Sequence, residues 1–233
     1  IQQKCNDTSE ESIKDIIQEA IALCDRTPLV LNSAKSFEPK MMSVILTDVH
    51  AGMCPKDGFL DYEWNAKLLI DAFDKTLKDI ISLVDIAGGR IEELILYDLG
   101  DSLDGYEGLT TRGGHKLPQN MTTVQQFSLA LNCYLSLVEN LLALDIADKI
   151  TVHRVESDNH SGAFGQSLGY SLESFIKRLY PEANIHFVRQ AEFMSYKVYG
   201  DVAIVTTHGK DKEFMKQPMP YIMSPKWETY LSS

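Results

Sequence analysis

The segment IEELILYDLGDSLDG, residues 91–105, decides how the chain is organised around it. Its apolar run predicts a strand, and the run gives way at Asp98 to a cluster of Asp, Gly and Ser residues. In open α/β sheets, ligands bind outside the carboxyl ends of the strands. The segment therefore predicts a strand over 91–101 that brings Asp101 and Asp104 to the ligand-binding edge of a sheet.

On both sides of this segment, short apolar runs alternate with amphipathic stretches of helical periodicity. The sequence predicts strands at 42–50, 91–101, 149–155 and 184–188, helices at 63–87, 122–147 and 165–180, and a final hairpin over 192–209. This alternation is typical of the α/β class, in which helices cover a largely buried sheet. Residues 1–40, with a helix predicted at 8–24 and a proline-containing connection, are expected to precede a single domain at 41–233.

The composition of the 233-residue chain limits the kinds of protein that it can be. No apolar run approaches the roughly 20 residues that a membrane-spanning helix needs, which predicts that no membrane is a partner. The net charge of −11 argues against a broad nucleic-acid-binding surface but allows a phosphate substrate that is held through bound cations. The four cysteines are widely spaced and form no CxxC pair, which favours a reducing, cytoplasmic location over a disulfide framework.

Polar residues follow the predicted strands in the same manner four times. They are Asp48 and His50, Asp101 and Asp104, Asn159 and His160, and His208. Since the carboxyl ends of the strands define one edge of the sheet, these side chains are expected to meet there. Carboxylate and imidazole are transition-metal ligands, and Asn adds a carbonyl oxygen that binds without neutralising the metal. The sequence therefore predicts a metal site in which His160, oriented by Asp104, faces the reacting group.

This series of motifs resembles the calcineurin-like metallophosphoesterase family over residues 42–209. The matching motifs are Asp48-Val49-His50, Gly100-Asp101-Ser102-Leu103-Asp104, Asn159-His160 and His208-Gly209. The resemblance implies a four-layer α-β-β-α sandwich of two mixed sheets. It also implies an enzyme that hydrolyses phosphate mono- or diesters by attack of a metal-bound hydroxide at a two-metal site.

The resemblance implies a role for each residue. The implied metal ligands are Asp48 and His50 for the first ion, Asp101 as a bridge, and Asn159 and His208 for the second ion. His160 would protonate the leaving oxygen or stabilise the transition state, and Asp104 would hold the His160 imidazole. Mn is the common family choice of metal, with Fe, Zn or Ni as alternatives.

The sequence departs from the family pattern at three points. Asp158 stands where the family has Gly, Ser161 stands where it has Asp or Glu, and no Gly-His-x-His follows His208. We expect the domain to be truncated at its C-terminus, with the missing histidine pair further along the chain. The alternative is a catalytically impaired member of the fold that acts as a binding module through protein partners.

A glycine-containing loop at residues 105–120 carries basic side chains, among them Arg112 and His115. Loops of this length in compact domains are usually functional or disordered. Since Arg suits bidentate contact with phosphate, we expect Arg112 and His115 either to contact the substrate phosphate or to belong to a solvent-exposed lid. The loop resembles a subgroup of the family carried by phages and prophages, and it could hold a short nucleic-acid end.

Overall fold

The computed structural model describes residues 41–55, 64–156, 158–199 and 202–209. The helix predicted at 8–24 lies outside these ranges, as does the rest of the segment 1–40. The division of the chain at residue 40 therefore stays a prediction.

The centre of the fold is a parallel sheet of four strands. They are β1 (Met41–Leu46), β2 (Ile91–Asp98), β3 (Ala147–Val155) and β4 (Ile185–Gln190), and they lie side by side in that order. Leu46 is opposite Asp98 on the next strand, and Asp98 is opposite Arg154 on the third. The carboxyl ends of neighbouring strands are thus nearly level, so the loops that follow them lie next to each other.

Three helices connect these strands. They are α1 (Ala66–Ala87), α2 (Thr123–Ala143) and α3 (Gly162–Leu179). The side chain of Asn65 accepts a hydrogen bond from the Leu68 N–H at the start of α1, and Thr122 forms a reciprocal capping box with Gln125 at the start of α2. Gly88 ends α1 in the left-handed conformation. The three predicted helices are confirmed, with boundaries that differ by up to four residues.

The helices pack on one face of the sheet. Connections between neighbouring parallel strands are almost always right-handed, and strands that follow one another in space as in sequence then have all their helices on the same side. The main apolar cluster accordingly joins Leu94 and Val152 of the sheet to Val84, Leu137 and Leu168 of the three helices. Full burial of each such side chain contributes roughly 1.5–3 kcal/mol to folding.

An antiparallel hairpin covers part of the opposite face. Its strands are β5 (Ser195–Tyr199) and β6 (Val202–Thr206). Lys197 of the hairpin donates to Glu93 of β2 at 2.6 Å, and Glu93 also accepts from Thr151 of β3 at 2.7 Å. Burial acts to raise the pKa of Glu93, but the hydrogen bonds from Lys197, Thr151 and Lys149 outweigh it and lower the pKa to about 2.

The α/β class predicted from the sequence is confirmed, whereas the four-layer sandwich stays a prediction. In the part of the chain that is described, the larger sheet is entirely parallel and the smaller one is a two-stranded antiparallel hairpin, so neither is mixed.

No helix in the described part of the chain is long and apolar enough to cross a membrane. The reducing, cytoplasmic location expected from the cysteine spacing stays a prediction.

Candidate metal centre

The loops after β1 and β2 continue to pair beyond the ends of the strands. The His50 N–H donates to the Asp101 carbonyl at 2.8 Å, and the Ala51 N–H donates to the Ser102 carbonyl at 3.1 Å. The Asp104 N–H then donates back to Ala51 at 3.2 Å. These backbone contacts hold the two predicted motifs side by side.

Strand β1 ends earlier than the sequence predicts, and this changes how its motif is presented. The strand stops at Leu46 instead of continuing to residue 50, so Asp48 and His50 do not share the face of a strand. Both residues have positive φ, 52° and 44°, and Asp101 has a φ of 54°. Such conformations cost of order 1–3 kcal/mol each in residues other than glycine and cluster at functional sites.

Asp101 lies at the centre of the group and is 4% exposed. Its Oδ2 is 4.0 Å from His50 Nε2 and 3.6 Å from His208 Nε2. Its Oδ1 accepts from the His160 N–H at 3.1 Å. Burial, followed by the nearby charge of Asp158, raises the pKa of Asp101, so the ionised carboxylate is costly unless a cation accompanies it.

All three histidines of the group use Nδ1 to contact an oxygen acceptor. His50 Nδ1 is 3.1 Å from Asp104 Oδ1, His160 Nδ1 is 2.6 Å from the Asp104 carbonyl, and His208 Nδ1 is 2.8 Å from the Leu99 carbonyl. Carboxylates and carbonyls only accept, so each Nδ1 carries a hydrogen, and Nε2 is the ring nitrogen that remains to face the other groups of the site. Histidines that bind metal ions are held in this way.

Lone pairs converge around Asp101 on two sides. His208 Nε2 lies 2.7 Å from Asn159 Oδ1 as well as 3.6 Å from Asp101 Oδ2. On the other side, His50, Asp101 and His160 each offer one ligand atom within 4.8 Å of the others. Electron-pair donors that face one another repel unless a proton or a cation lies between them. The residues present therefore fit a bound cation.

Asp48 stands at the outer edge of this group. Its side chain is 63% exposed, and Oδ1 lies 3.6 Å from His50 Nε2. The other carboxylate oxygen accepts from the Thr47 hydroxyl at 2.6 Å. Asp48 is thus the predicted ligand with the most contact with solvent.

Asp104 contacts a different histidine than the one it was expected to hold. Its carboxylate is 3.1 Å from His50 Nδ1 but 3.9 Å from His160 Nδ1. The contact with His160 runs through the main-chain carbonyl. The second carboxylate oxygen of Asp104 is buried without a hydrogen-bond partner among the described residues. Burial of the His50 ring acts to lower its pKa, but the Asp104 hydrogen bond and the charge of Asp101 outweigh this and raise the pKa.

Asp158, which the motif comparison marked only as a departure, holds two loops together. Its Oδ1 accepts from the N–H groups of His160, Ser161 and Gly162 at 3.1, 2.6 and 3.0 Å. Its Oδ2 accepts from the Asp101 N–H at 3.2 Å. An Asp shortly before a predicted helix is a signal for such a cap, but the contact with Asp101 has no local signal.

Ser161 replaces the expected acidic residue with a hydroxyl that reaches the neighbouring loop. Its Oγ accepts from the Leu103 N–H at 3.0 Å and contacts the Leu103 carbonyl at 3.3 Å. The side chain is buried, with 1% of the residue exposed. Ser161 therefore fixes the position of the loop that carries Asp101 and Asp104.

A buried ion pair supports the same loop from the helical side of the sheet. Arg154 Nη2 is 3.0 Å from Asp98 Oδ2, and the Ser102 hydroxyl donates to the same oxygen at 3.0 Å. Ser102 also contacts the Tyr134 hydroxyl at 3.2 Å. Loss of one charged partner would leave a buried charge uncompensated, which typically costs 3–5 kcal/mol.

The loop at residues 105–120 touches the site through its main chain. The Arg112 N–H and the Thr111 hydroxyl donate to the Asn159 carbonyl at 3.2 and 3.1 Å. Arg112 and His115, the predicted substrate contacts, are both exposed. The structure thus places the loop beside the metal-ligand candidates and leaves these two residues facing solvent.

The structure brings together the seven residues predicted from the strand ends. They are Asp48, His50, Asp101, Asp104, Asn159, His160 and His208. In comparisons with protein-family models, curated proteins and solved structures, nothing matches the chain.

Proposed function

We propose that the protein is a metal-dependent phosphoesterase that hydrolyses phosphate mono- or diesters. One observation carries this proposal: His50 and His208 each commit Nδ1 to an oxygen acceptor and place Nε2 within 4.0 Å of the buried carboxylate of Asp101. The resemblance of the motif order to the calcineurin-like metallophosphoesterases supports the same interpretation.

The donor set suits two divalent cations that share one carboxylate. Asp48 and His50 lie on one side of Asp101, and Asn159 and His208 lie on the other. Imidazole nitrogen, amide oxygen and carboxylate oxygen together suit Mn, which we take as the first choice, and also Fe, Zn or Ni. Because imidazole and amide ligands are neutral, they leave most of the positive charge of the cations for a phosphate substrate.

The reaction exchanges one P–O bond for another. The oxygen of water bonds to phosphorus, the P–O bond to the ester oxygen breaks, and the departing oxygen takes up a proton. Two cations bound at such a site supply a water of lowered pKa and neutralise charge on the phosphoryl oxygens. The side chains of the protein must then position the ester and deliver the proton.

His160 is the side chain we assign to that proton. Its Nδ1–H is committed to the Asp104 carbonyl at 2.6 Å, so Nε2 is the nitrogen that can exchange a proton with the substrate. The Asp104 carboxylate lies 3.9 Å from His160 Nδ1. Asp104 thereby acts on both histidines, through its carbonyl on His160 and through its carboxylate on His50.

The substitution Asp101→Asn tests the proposal. It removes the charge that faces His50 and His208, so hydrolysis of bis-p-nitrophenyl phosphate and p-nitrophenyl phosphate in Mn²⁺ should fall by at least about 10²-fold. The ratio of the two wild-type rates shows whether diesters or monoesters are preferred.

Asp71→Asn is the matched control, because Asp71 is an exposed carboxylate on α1 that pairs only with Lys67 among the described residues. This variant should keep wild-type activity. If Asp101→Asn also kept wild-type activity, the site would not be catalytic, and the alternative of a binding module would gain support.

A further inference from the structure

Two cationic side chains in the loop beside the site have no carboxylate partner among the described residues. Most lysines and arginines in the described ranges lie in ion pairs; they are Lys67, Lys75, Lys78, Arg90, Lys149, Arg154, Lys177, Arg189 and Lys197. Among the same ranges, Arg112, Lys116 and Arg178 form no such pair, and the first two belong to one loop. In a protein of net charge −11, carboxylates are abundant, so two neighbouring unpaired cations mark an unusual place on the surface.

The turn that carries these cations has a defined shape. Leu109 and Lys116 form an antiparallel bridge at its base. The Thr110 N–H donates to the His115 carbonyl at 2.9 Å, and the His115 N–H donates to the Thr110 hydroxyl at 2.9 Å. Gly113 and Gly114, with φ of 87° and 63°, form the tip. Arg112, His115 and Lys116 are therefore presented together by one closed turn.

The same turn is fixed to the metal-ligand candidates. The Arg112 main chain and the Thr111 hydroxyl both bond the carbonyl of Asn159, whose side chain faces His208. A Cβ added to Gly162 would lie 2.8 Å from the Thr111 hydroxyl, which shows how closely the turn packs at the start of α3. The main chain of the turn is thus fixed beside Asn159, and its two exposed cationic side chains belong to the loop that borders the proposed site.

We propose that Arg112 and Lys116 bind a second phosphate group, carried by the substrate next to the scissile ester. This inference rests on the proposed function. The scissile phosphate would be neutralised by the metal ions, so the cations of the turn are available for another anion. Arg binds phosphate through two parallel hydrogen bonds, and Lys adds a point charge. The acidic surface disfavours a long nucleic acid, so the substrate class is a short phosphodiester that carries an additional phosphate.

A pair of substrates that differ only in the second phosphate tests this proposal. Thymidine 5′-(p-nitrophenyl phosphate) has a free 3′-hydroxyl, and its 3′-phosphorylated form has the same scissile bond and leaving group. Wild-type protein in Mn²⁺ should show a kcat/KM about 10-fold or more higher for the 3′-phosphorylated form, as charge-assisted hydrogen bonds to one phosphate would give. In the double variant Arg112→Ala/Lys116→Ala, this ratio should fall to about 1, because kcat/KM should fall more for the 3′-phosphorylated form than for the unphosphorylated form.

Arg178→Ala is the matched control. Arg178 is also an unpaired arginine within the described ranges, but it lies in the last turn of α3. Sixteen residues separate it from Gly162, which corresponds to about 24 Å along the helix axis. This variant removes one positive charge far from the site and should keep the wild-type ratio. Raised salt should reduce the preference in wild-type protein but not in the double variant.

The possible results distinguish a failure of the second-phosphate proposal from a failure of the phosphoesterase proposal. A wild-type ratio near 1, or a double variant that keeps the wild-type preference, would overturn the second-phosphate inference and leave the phosphoesterase proposal standing. An Arg178→Ala variant that loses the preference equally would reduce the effect to net charge and overturn the inference too. If wild-type protein in Mn²⁺ cleaves neither nucleotide substrate nor bis-p-nitrophenyl phosphate, the proposed function fails and the inference fails with it.

Discussion

Each of the three site histidines donates one ring hydrogen to an oxygen that cannot donate in return, and this determines which nitrogen is free. For His160, the acceptor is the main-chain carbonyl of Asp104. The other ring nitrogen, Nε2, can pass a proton to a leaving oxygen only when the ring carries hydrogens on both nitrogens. The role assigned to His160 therefore depends on how much the leaving group needs a proton.

The substitution His160→Ala should affect substrates unequally. Thymidylyl-thymidine releases an alkoxide that needs a proton, so kcat at saturating Mn²⁺ should fall by about 10² to 10⁴-fold. Thymidine 5′-(p-nitrophenyl phosphate) releases a stable anion, and its kcat should fall by much less. His186→Ala, which changes an exposed histidine on β4, should leave both rates unchanged. Equal losses on the two substrates would show that His160 does not supply the proton.

The sequence could identify most of these residues but not all of their partners. Asp, His and Asn directly after an apolar run are visible in the printed sequence, and seven such residues meet in the structure. The contact of Asp158 with the Asp101 N–H joins positions 57 residues apart, and no local pattern encodes it. Whether the Asp104 carboxylate contacts His50 or His160 depends on loop geometry at the scale of an ångström, which residue spacing does not determine.

At the scale of elements, the loop between β2 and Asp101 determines how closely the site can be assembled. Gly100 has a φ of 102°, and a Cβ built on it would lie 2.8 Å from Asp158 Cβ and 3.0 Å from His208 Nδ1. Three segments therefore meet at Gly100: the loop after β2, the loop after β3 with Asp158, and the segment after β6 with His208. There is no room for a side chain at this position. Helix propensity and strand patterns give no measure of this packing.

The pair Gly100→Ala and Gly108→Ala separates backbone strain from packing. Gly108 has a φ of 80° with nothing within 4 Å of a built Cβ, so its substitution should cost only the left-handed penalty, about 1–2 kcal/mol. Gly100→Ala adds the overlap with Asp158 and His208 and should cost roughly 2–5 kcal/mol. Urea denaturation measures both free energies, and Mn²⁺ titration should show weaker binding for Gly100→Ala alone.

One result for these two variants would contradict the proposed role of Gly100. If the two glycine variants lose the same free energy of unfolding and bind Mn²⁺ equally well, the close approach at Gly100 does not support the site.

The end of strand β1 also differs from the sequence prediction. Strand β1 was predicted to reach residue 50, but the positive φ angles of Asp48 and His50 end the extended conformation earlier. Apolar patterning predicts where a strand lies and is a poor guide to where a functional loop begins.

At the scale of the whole molecule, one face of the sheet was predictable and the other was not. The alternation of strands and amphipathic helices predicts the α/β class with helices that cover a sheet, because that arrangement buries the apolar stripe of each helix. That the four-stranded sheet is entirely parallel is known only from the structure. Part of the opposite face is covered by a hairpin that is held through polar contacts such as Lys197 with Glu93, which are 104 residues apart. Such contacts have no periodicity, so the sequence indicates the hairpin but not its place.

The central claim is that the edge of this sheet holds divalent cations around Asp101. Anomalous diffraction at the manganese absorption edge, from crystals grown with Mn²⁺, tests it most directly. We expect two anomalous-density peaks that both contact the Asp101 carboxylate, one beside His50 and the other beside His208. Crystals in which these side chains are ordered but no peak touches Asp101 would contradict it.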